Sequence, residues 1–224
     1  MKKALNISMS AIFALAVVVL TITFSIGLPI YIRPFYYAHI PSIQEEMEEL
    51  LETTIPEDTI KDAYDEILDF LTLEGREFGA GKLPYSEEGK GHFEDCKVLF
   101  DLNRNAFIIS IITAAVIFIL DKLKLISLCK PKGFSLTFIS GVGTLALFAT
   151  LGVVAAMDFE KAFTVFHHIF FPGKSNWMFN PLTDPIILFM PQNFFMNCAI
   201  LICASILVIS IVHIVFGIAS RKKG

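Results

Sequence analysis

Apolar and polar positions are segregated along this chain into long blocks. The first apolar block runs from about Ile7 to Ile32 and meets no charge before Arg33. The second runs from about Ala106 to Leu120, and reaches Leu125 if Lys122 and Lys124 snorkel. The third, Gly133 to Met157, is uncharged after Lys132. The fourth, about Phe194 to Ala219, has His213 as its ionisable group. A hydrocarbon core of roughly 30 Å needs about 20 helical residues. The pattern therefore predicts an all-α, polytopic membrane protein of four transmembrane helices with a helical extracellular loop domain.

The expected organisation is a first transmembrane helix over 1–32 and an extracellular helical loop domain over 33–103. A second transmembrane helix follows over 104–125, then a cytoplasmic turn and third transmembrane helix over 126–157. An extracellular aromatic loop, interfacial or re-entrant, occupies 158–193. The fourth transmembrane helix and a cytoplasmic tail complete the chain over 194–224. The first block is too long for the 7–15-residue apolar region of a signal peptide and shows no small-x-small cleavage site, so it is expected to be retained.

Patterning inside the first loop predicts helices. Ser42, with Glu45 three residues on, is a candidate cap for a helix over 43–52. Pro56 then breaks the chain. Ile60, Tyr64, Ile67, Leu68 and Leu71 recur at helical spacing. Glycines and Pro84 mark turns around 79–91, and a short helix is expected from Glu88 or His92 towards the second span. Both acidic helices lack the Lys/Arg-rich face that would draw them to anionic lipid.

Composition agrees with the blocks: 54% of residues are apolar, only 18% are charged, and 22 are Phe. Soluble domains carry about 25% charge. The net charge of −4 excludes a generally basic nucleic-acid binder. Nine of the 18 Lys and Arg residues fall on one side of a four-span layout, with one of the 22 acidic residues. By the positive-inside rule that side is cytoplasmic, which puts both termini inside and both long loops outside. The four cysteines form no Cys-x-x-Cys, and no zinc motif or phosphate-cradling glycine loop occurs. No metal and no cofactor is expected.

Candidate chemistry lies in the outer loops. His92 and Asp95 are three apart on an expected helix, so the acid is placed to orient the histidine. In the second loop, Phe163, Phe166, Phe170, Phe171, Trp177 and Phe179 are too aromatic for an ordinary exposed connection. Pro172, Pro181, Pro185 and Pro191 rule out one continuous helix there. His167 and His168 sit in its first half. Consecutive helical residues differ by about 100°, so only one of them can face a given pocket.

These pieces together resemble a known family. Phe166-His167, Phe170-Phe171, Trp177, Asp184, Ile186-Ile187, Pro191 and Phe194-Phe195 follow in order after His92, Asp95 and Lys97. That arrangement is similar to the four-span lipoprotein intramolecular transacylases of low-GC Gram-positive bacteria. The resemblance covers nearly the whole chain. It departs at Phe93 and Cys96, where the family carries Met and Val.

The resemblance implies a reaction. An acyl chain moves from the sn-2 oxygen of a diacylglyceryl-cysteine lipoprotein to that cysteine's α-amino group, giving the lyso form. No cofactor is implied, because ester aminolysis to an amide runs downhill. The implied partners are diacylglyceryl-modified bacterial lipoproteins and membrane lipid, with no nucleic acid and an open oligomeric state. His92 and His167 become the catalytic histidines, assisted by Asp95. His167 is expected as the general base and acid, and His92, oriented by Asp95, as its assistant or the stabiliser of the oxyanion, though the two roles can be exchanged. Phe166, Phe170, Phe171 and Trp177 are the candidate acyl pocket. A rival reading is a non-enzymatic assembly or sensor protein that binds a partner through its outer loop, but it gives no reason for histidines in both loops. A lipid enzyme with a Ser or Cys nucleophile would want an activated residue near His167, and Ser175 bears no such mark. A transporter would want a buried carboxylate pair in the spans.

Overall fold

The computed structural model describes residues 2–51 and 55–221, with the side chains of 46–51 excepted. The described residues are helical and contain no strand. In order they form α1 (Lys2–Tyr31), α2 (Arg33–Tyr37), α3 (Ile40–Leu51), α4 (Glu57–Thr72), α5 (Glu87–Lys122), α6 (Leu136–Met157), α7 (Phe159–Phe170), α8 (Ile186–Phe189) and α9 (Gln192–Arg221). Four of them, α1, α5, α6 and α9, are long and apolar enough to cross a membrane. Their large side chains stand outward: Ile109 is 64% exposed and Phe216 68%. Such surface is unfavourable in water and suited to lipid.

The chain divides into two compact units. The first holds the residues through Gly27, Asn103–Ala156, and the chain from Leu201 onward. Its helices approach closely where side chains are small. A Cβ on Gly141 would come 2.8 Å from that of His213, and one on Gly217 would come 2.5 Å from that of Phe138. Ser140 Oγ donates to the carbonyl of Ala14 at 3.0 Å. In the turn after α5, the N–H groups of Ser127 and Cys129 donate to Asn6 Oδ1 and Ser10 Oγ.

The second unit comprises Leu28–Leu102 and Met157–Ile200. Its centre is α4. Pro56 precedes the helix, and Glu57 and Asp58 occupy the first turn, where the helix dipole favours them. The five apolar residues picked out by spacing, Ile60, Tyr64, Ile67, Leu68 and Leu71, are all buried. They pack with Tyr36, Ile40, Phe93, Ile186, Phe189 and Phe194. Polar ties fix the helix in place. Arg33 pairs with Asp65 and Asp69. The buried hydroxyl of Tyr64 donates to the carbonyl of Phe189.

Two local expectations change. Helix α3 begins at Ile40, with Pro41 in its first turn, where a missing N–H costs nothing. Ser42 therefore lies inside the helix, and its hydroxyl donates back to the His39 carbonyl instead of capping. The last residue of the expected 43–52 helix falls outside the described residues. The short helix expected before the second span is instead continuous with it, so α5 runs unbroken from Glu87 through the apolar stretch that begins at Ala106. No proline interrupts it.

Candidate active site

The first half of α5 is held at its start by the second loop. Ser86 caps the helix, its Oγ accepting the Gly89 N–H at 2.9 Å. The N–H of Ser86 donates at 2.7 Å to Asp184 Oδ1. Thr183 Oγ1 donates to the other oxygen of that buried carboxylate at 2.6 Å. Burial pushes the Asp184 carboxyl up, but these hydrogen bonds outweigh it and hold it below the ordinary carboxylate range. The approach is too close for any side chain at position 89. A Cβ on Gly89 would lie 2.2 Å from Asp184 Oδ1 and 3.0 Å from Phe179 Cε1. One turn into the helix stands His92.

Helix α7 supplies the second histidine. Asp158 leaves helical geometry and caps α7, its Oδ1 accepting the Lys161 N–H at 2.9 Å. The helix is amphipathic, and His167 lies on its buried face while His168 is exposed. As the 100° spacing requires, one of the two turns inward. His167 Nδ1 lies 2.8 Å from the Phe163 carbonyl, which can only accept. Nδ1 thus carries the ring proton, and Nε2 keeps a lone pair.

Chain folding brings the two histidines together. Their ring centroids are 5.9 Å apart, with planes inclined by 31°. His92 is 7% exposed and His167 6%. Phe171 stands edge-on to His92 at 4.9 Å, and Phe179 does so at 5.5 Å. Trp177 stacks on His167 at 4.5 Å, and Phe163 lies 4.3 Å from the same ring. Burial lowers the pKa of His167, and pushes that of His92 down to about 4, with His167 beside it adding to the effect. Both rings are therefore neutral at neutral pH. Among the described residues the buried His92 Nδ1 has no hydrogen-bond partner, while its Nε2 lies 3.5 Å from Cys96 Sγ.

Asp95 does not orient His92 as its spacing suggested. Its carboxylate is taken by Lys174, through an ion pair, and by Asn176 Nδ2 at 3.2 Å. Burial pushes Asp95 up, and the hydrogen bonds from Lys174 and Asn176 bring it below its ordinary value. The acid thus anchors the loop that carries Trp177, next to His92 but not bonded to it. The candidate pocket aromatics also separate. Phe171 and Trp177 line the histidines; Phe166 meets His167 edge-on but is 46% exposed, and Phe170 is 48% exposed against Phe166. Lys97 donates to the carbonyls of Phe70 and Leu73 and so closes the C-terminal end of α4.

Sequence reasoning passed over His39, Asn176 and the Cys96 contact. His39 is structural: Nδ1 donates to the Phe35 carbonyl at 2.7 Å, and Asn197 Nδ2 donates to Nε2 at 2.9 Å. The 158-residue separation of His39 and Asn197 leaves no local signal. Among the described residues, no group of three or more His, Cys, Asp and Glu is arranged to hold a metal ion. The arrangement can accept and return a proton at His167 Nε2, inside an apolar surround.

Comparison with known proteins agrees with this architecture. A solved structure of the membrane-integral lipoprotein intramolecular transacylase Lit from Bacillus cereus is 22% identical, with 99% of this chain and 100% of that one covered at a TM-score of 0.85. Two further B. cereus Lit structures match, each with one histidine replaced. The arginine variant is 23% identical, covering 99% of this chain and 94% of that one at a TM-score of 0.78. The alanine variant is 22% identical, covering 99% and 97% at 0.77. At such identities the likeness shows the fold. An uncharacterized protein of Aquifex aeolicus is 26% identical over 143 residues, so the match spans 63% of this chain and 60% of that relative's length. The family model "Lipoprotein intramolecular transacylase Lit" matches residues 11–195. With four membrane-length helices and that match, the chain is a multi-pass membrane protein and belongs to the lipoprotein intramolecular transacylase Lit family.

Proposed function

We propose that this protein moves the sn-2 acyl chain of a diacylglyceryl-cysteine lipoprotein onto the α-amino group of that same cysteine. The observation that carries the reading is the pair of buried, neutral histidines 5.9 Å apart. Family membership supplies the substrate class.

The chemistry follows from what the substrate brings. An α-amino group has a pKa of about 7.7–8.0 and must be unprotonated to attack an ester carbonyl. His167 is the general base, because the Phe163 carbonyl holds its proton on Nδ1 and leaves Nε2 free to accept another. The amine nitrogen bonds to the carbonyl carbon and passes a proton to Nε2. The tetrahedral intermediate then collapses, the ester C–O bond breaks, and the glyceryl oxygen takes the proton back from His167. His92 assists as a neutral imidazole. Nucleophile and electrophile belong to one molecule, so holding them in register replaces the activated Ser or Cys of other acyl transferases. Phe171 and Trp177 hold the acyl chain beside the histidines, with Phe166 and Phe170 at its outer end. The excess of Lys and Arg in the short loops and termini supports an orientation with both termini cytoplasmic and the histidines on the outer side.

Two experiments test this. His92→Ala and His167→Ala are produced separately in cells that lack other N-acylation, and lipoprotein N-termini are read by mass spectrometry. Loss of the lyso form in each variant is expected; undiminished lyso form in either removes that histidine from the mechanism. For orientation, single cysteines at Lys82 and Lys130 are labelled from outside intact cells. Position 82 should react and position 130 should not, and the reverse result inverts the topology.

A further inference from the structure

We infer that Cys96 is a positioning residue: its S–H donates to His92 Nε2, so that His92 carries its ring proton on Nδ1 and offers it to the carbonyl oxygen of the reacting ester. This deepens the proposed transacylation and rests on that reading for the identity of the ester.

The contact itself is on α5, where residues four apart share a face. Cys96 Sγ and His92 Nε2 are 3.5 Å apart. A bond between them can run either way. An imidazole nitrogen is a good acceptor, whereas thiol sulfur is a weak one. The thiol also keeps its proton, because burial pushes its pKa up to about 12. The S–H is therefore the donor, and His92 Nε2 the acceptor. A neutral imidazole with an acceptor at Nε2 bears its proton on Nδ1. That Nδ1 is the buried atom that has no partner among the described residues.

His167 is set to complement it. With Nδ1–H bound to the Phe163 carbonyl, its Nε2 is left as an acceptor. The two rings thus differ in what they offer: a lone pair at His167 and an N–H at His92. Aminolysis of an ester uses both. The amine's proton goes to the lone pair. The carbonyl π electrons move to oxygen as the N–C bond forms, and the growing charge there is met by the His92 N–H. His92 keeps its proton throughout, and its N–H stays on the same oxygen as the C–O bond breaks and that oxygen becomes the amide carbonyl. A neutral imidazole suits this role, since its low pKa keeps the ring from ionising at neutral pH.

The test uses the full chain in lipid nanodiscs with 15N-labelled histidine. Nitrogen shifts distinguish the two tautomers, and His92→Gln assigns the His92 signal. In the unmutated protein His92 is expected as the Nδ1–H form. Cys96→Ser, which retains a donor, should keep that form and the turnover rate. Cys96→Val should shift His92 towards the Nε2–H form and lower kcat about fivefold with KM unchanged, the scale of one lost hydrogen bond. An Nε2–H tautomer in the unmutated protein overturns the proposal, whether or not Cys96→Val folds. So does a Cys96→Val variant whose His92 signals and kcat do not change. If no lyso lipoprotein forms at all, the transacylation reading fails, and the nitrogen shifts still decide the role of Cys96.

Discussion

The indole of Trp177 lies over the imidazole of His167, ring centroids 4.5 Å apart and planes inclined by 29°. The indole N–H points away from the imidazole, to the Lys174 carbonyl at 3.1 Å. The face of the indole is therefore what His167 meets. In the proposed mechanism His167 takes a proton from the amine, so a cation would form against that face, and a cation–π contact contributes about 0.5–2 kcal/mol. The contact is strongest in the charged state, so it lowers the barrier and not merely the energy of bound substrate.

Trp177→Ala should consequently lower the rate of lyso-lipoprotein formation about tenfold, with Trp177→Phe in between. The measurement is single-turnover conversion of a purified diacylglyceryl lipoprotein. Full rate in the alanine variant would separate the indole from the chemistry.

A second prediction concerns the start of α5. Asp184 holds the Ser86 N–H from 98 residues away and leaves no room at Gly89. Gly89→Ala forces the carboxylate or Phe179 aside. Overpacking of this kind costs about 1–3 kcal/mol. The thermal midpoint in detergent should fall, and activity should fall further than stability, because the same shift displaces His92 one turn on. Asp184→Ala frees the Ser86 N–H and should behave similarly, while a midpoint unchanged in both variants would show that the helix start does not depend on this contact.

The sequence made some of this legible and hid the rest for identifiable reasons. The spans were visible because uncharged runs near 20 residues have few other physical explanations. Helix α4 was visible because one buried face writes a 3.6-residue period, seen in Ile60, Tyr64, Ile67, Leu68 and Leu71. The inward turn of one residue from the His167–His168 pair followed from helix geometry alone. Three-residue spacing also put Asp95 on the side of His92, yet spacing cannot show a competing partner. Lys174, 79 residues along, claims that carboxylate. Ser42 was a plausible cap until Pro41 started the helix earlier. Phe166 and Phe170 read as equals of Phe171, because composition does not reveal which face of α7 is covered.

The Asp95 cluster gives a third prediction. Asp95 bonds Lys174, just before the Ser175–Met178 turn, and Asn176 within it, beside Trp177. Its effect on catalysis should pass through that turn. Asp95→Ala and Lys174→Ala are each expected to reduce turnover severalfold, well short of the loss from His167→Ala. Because both remove the same ion pair, the double variant should be no worse than the poorer single one. Additive losses would mean that Asp95 acts on the histidines independently of Lys174.

The last prediction is a pH dependence with two opposite origins. Burial lowers the pKa of His167 and takes that of His92 to about 4, against 6.5 for a free histidine. The unfolded chain therefore binds more protons than the folded one between those values, and stability rises with pH there. The full contribution is present above about pH 6.5 and is lost as pH falls towards 4. Thermal midpoints in detergent should drop over that window, and His92→Gln, which cannot ionise, should drop less steeply. Turnover has a different limb. Both histidines are already neutral at pH 7, so under the proposed transacylation the group still titrating is the α-amino group of the lipoprotein cysteine, near pH 8. Single-turnover rates should climb from pH 6.5 to about 8 and then level, in the unmutated enzyme and in Trp177→Phe alike. A limb centred well below 6.5 would mean instead that a histidine, not the amine, limits the reaction.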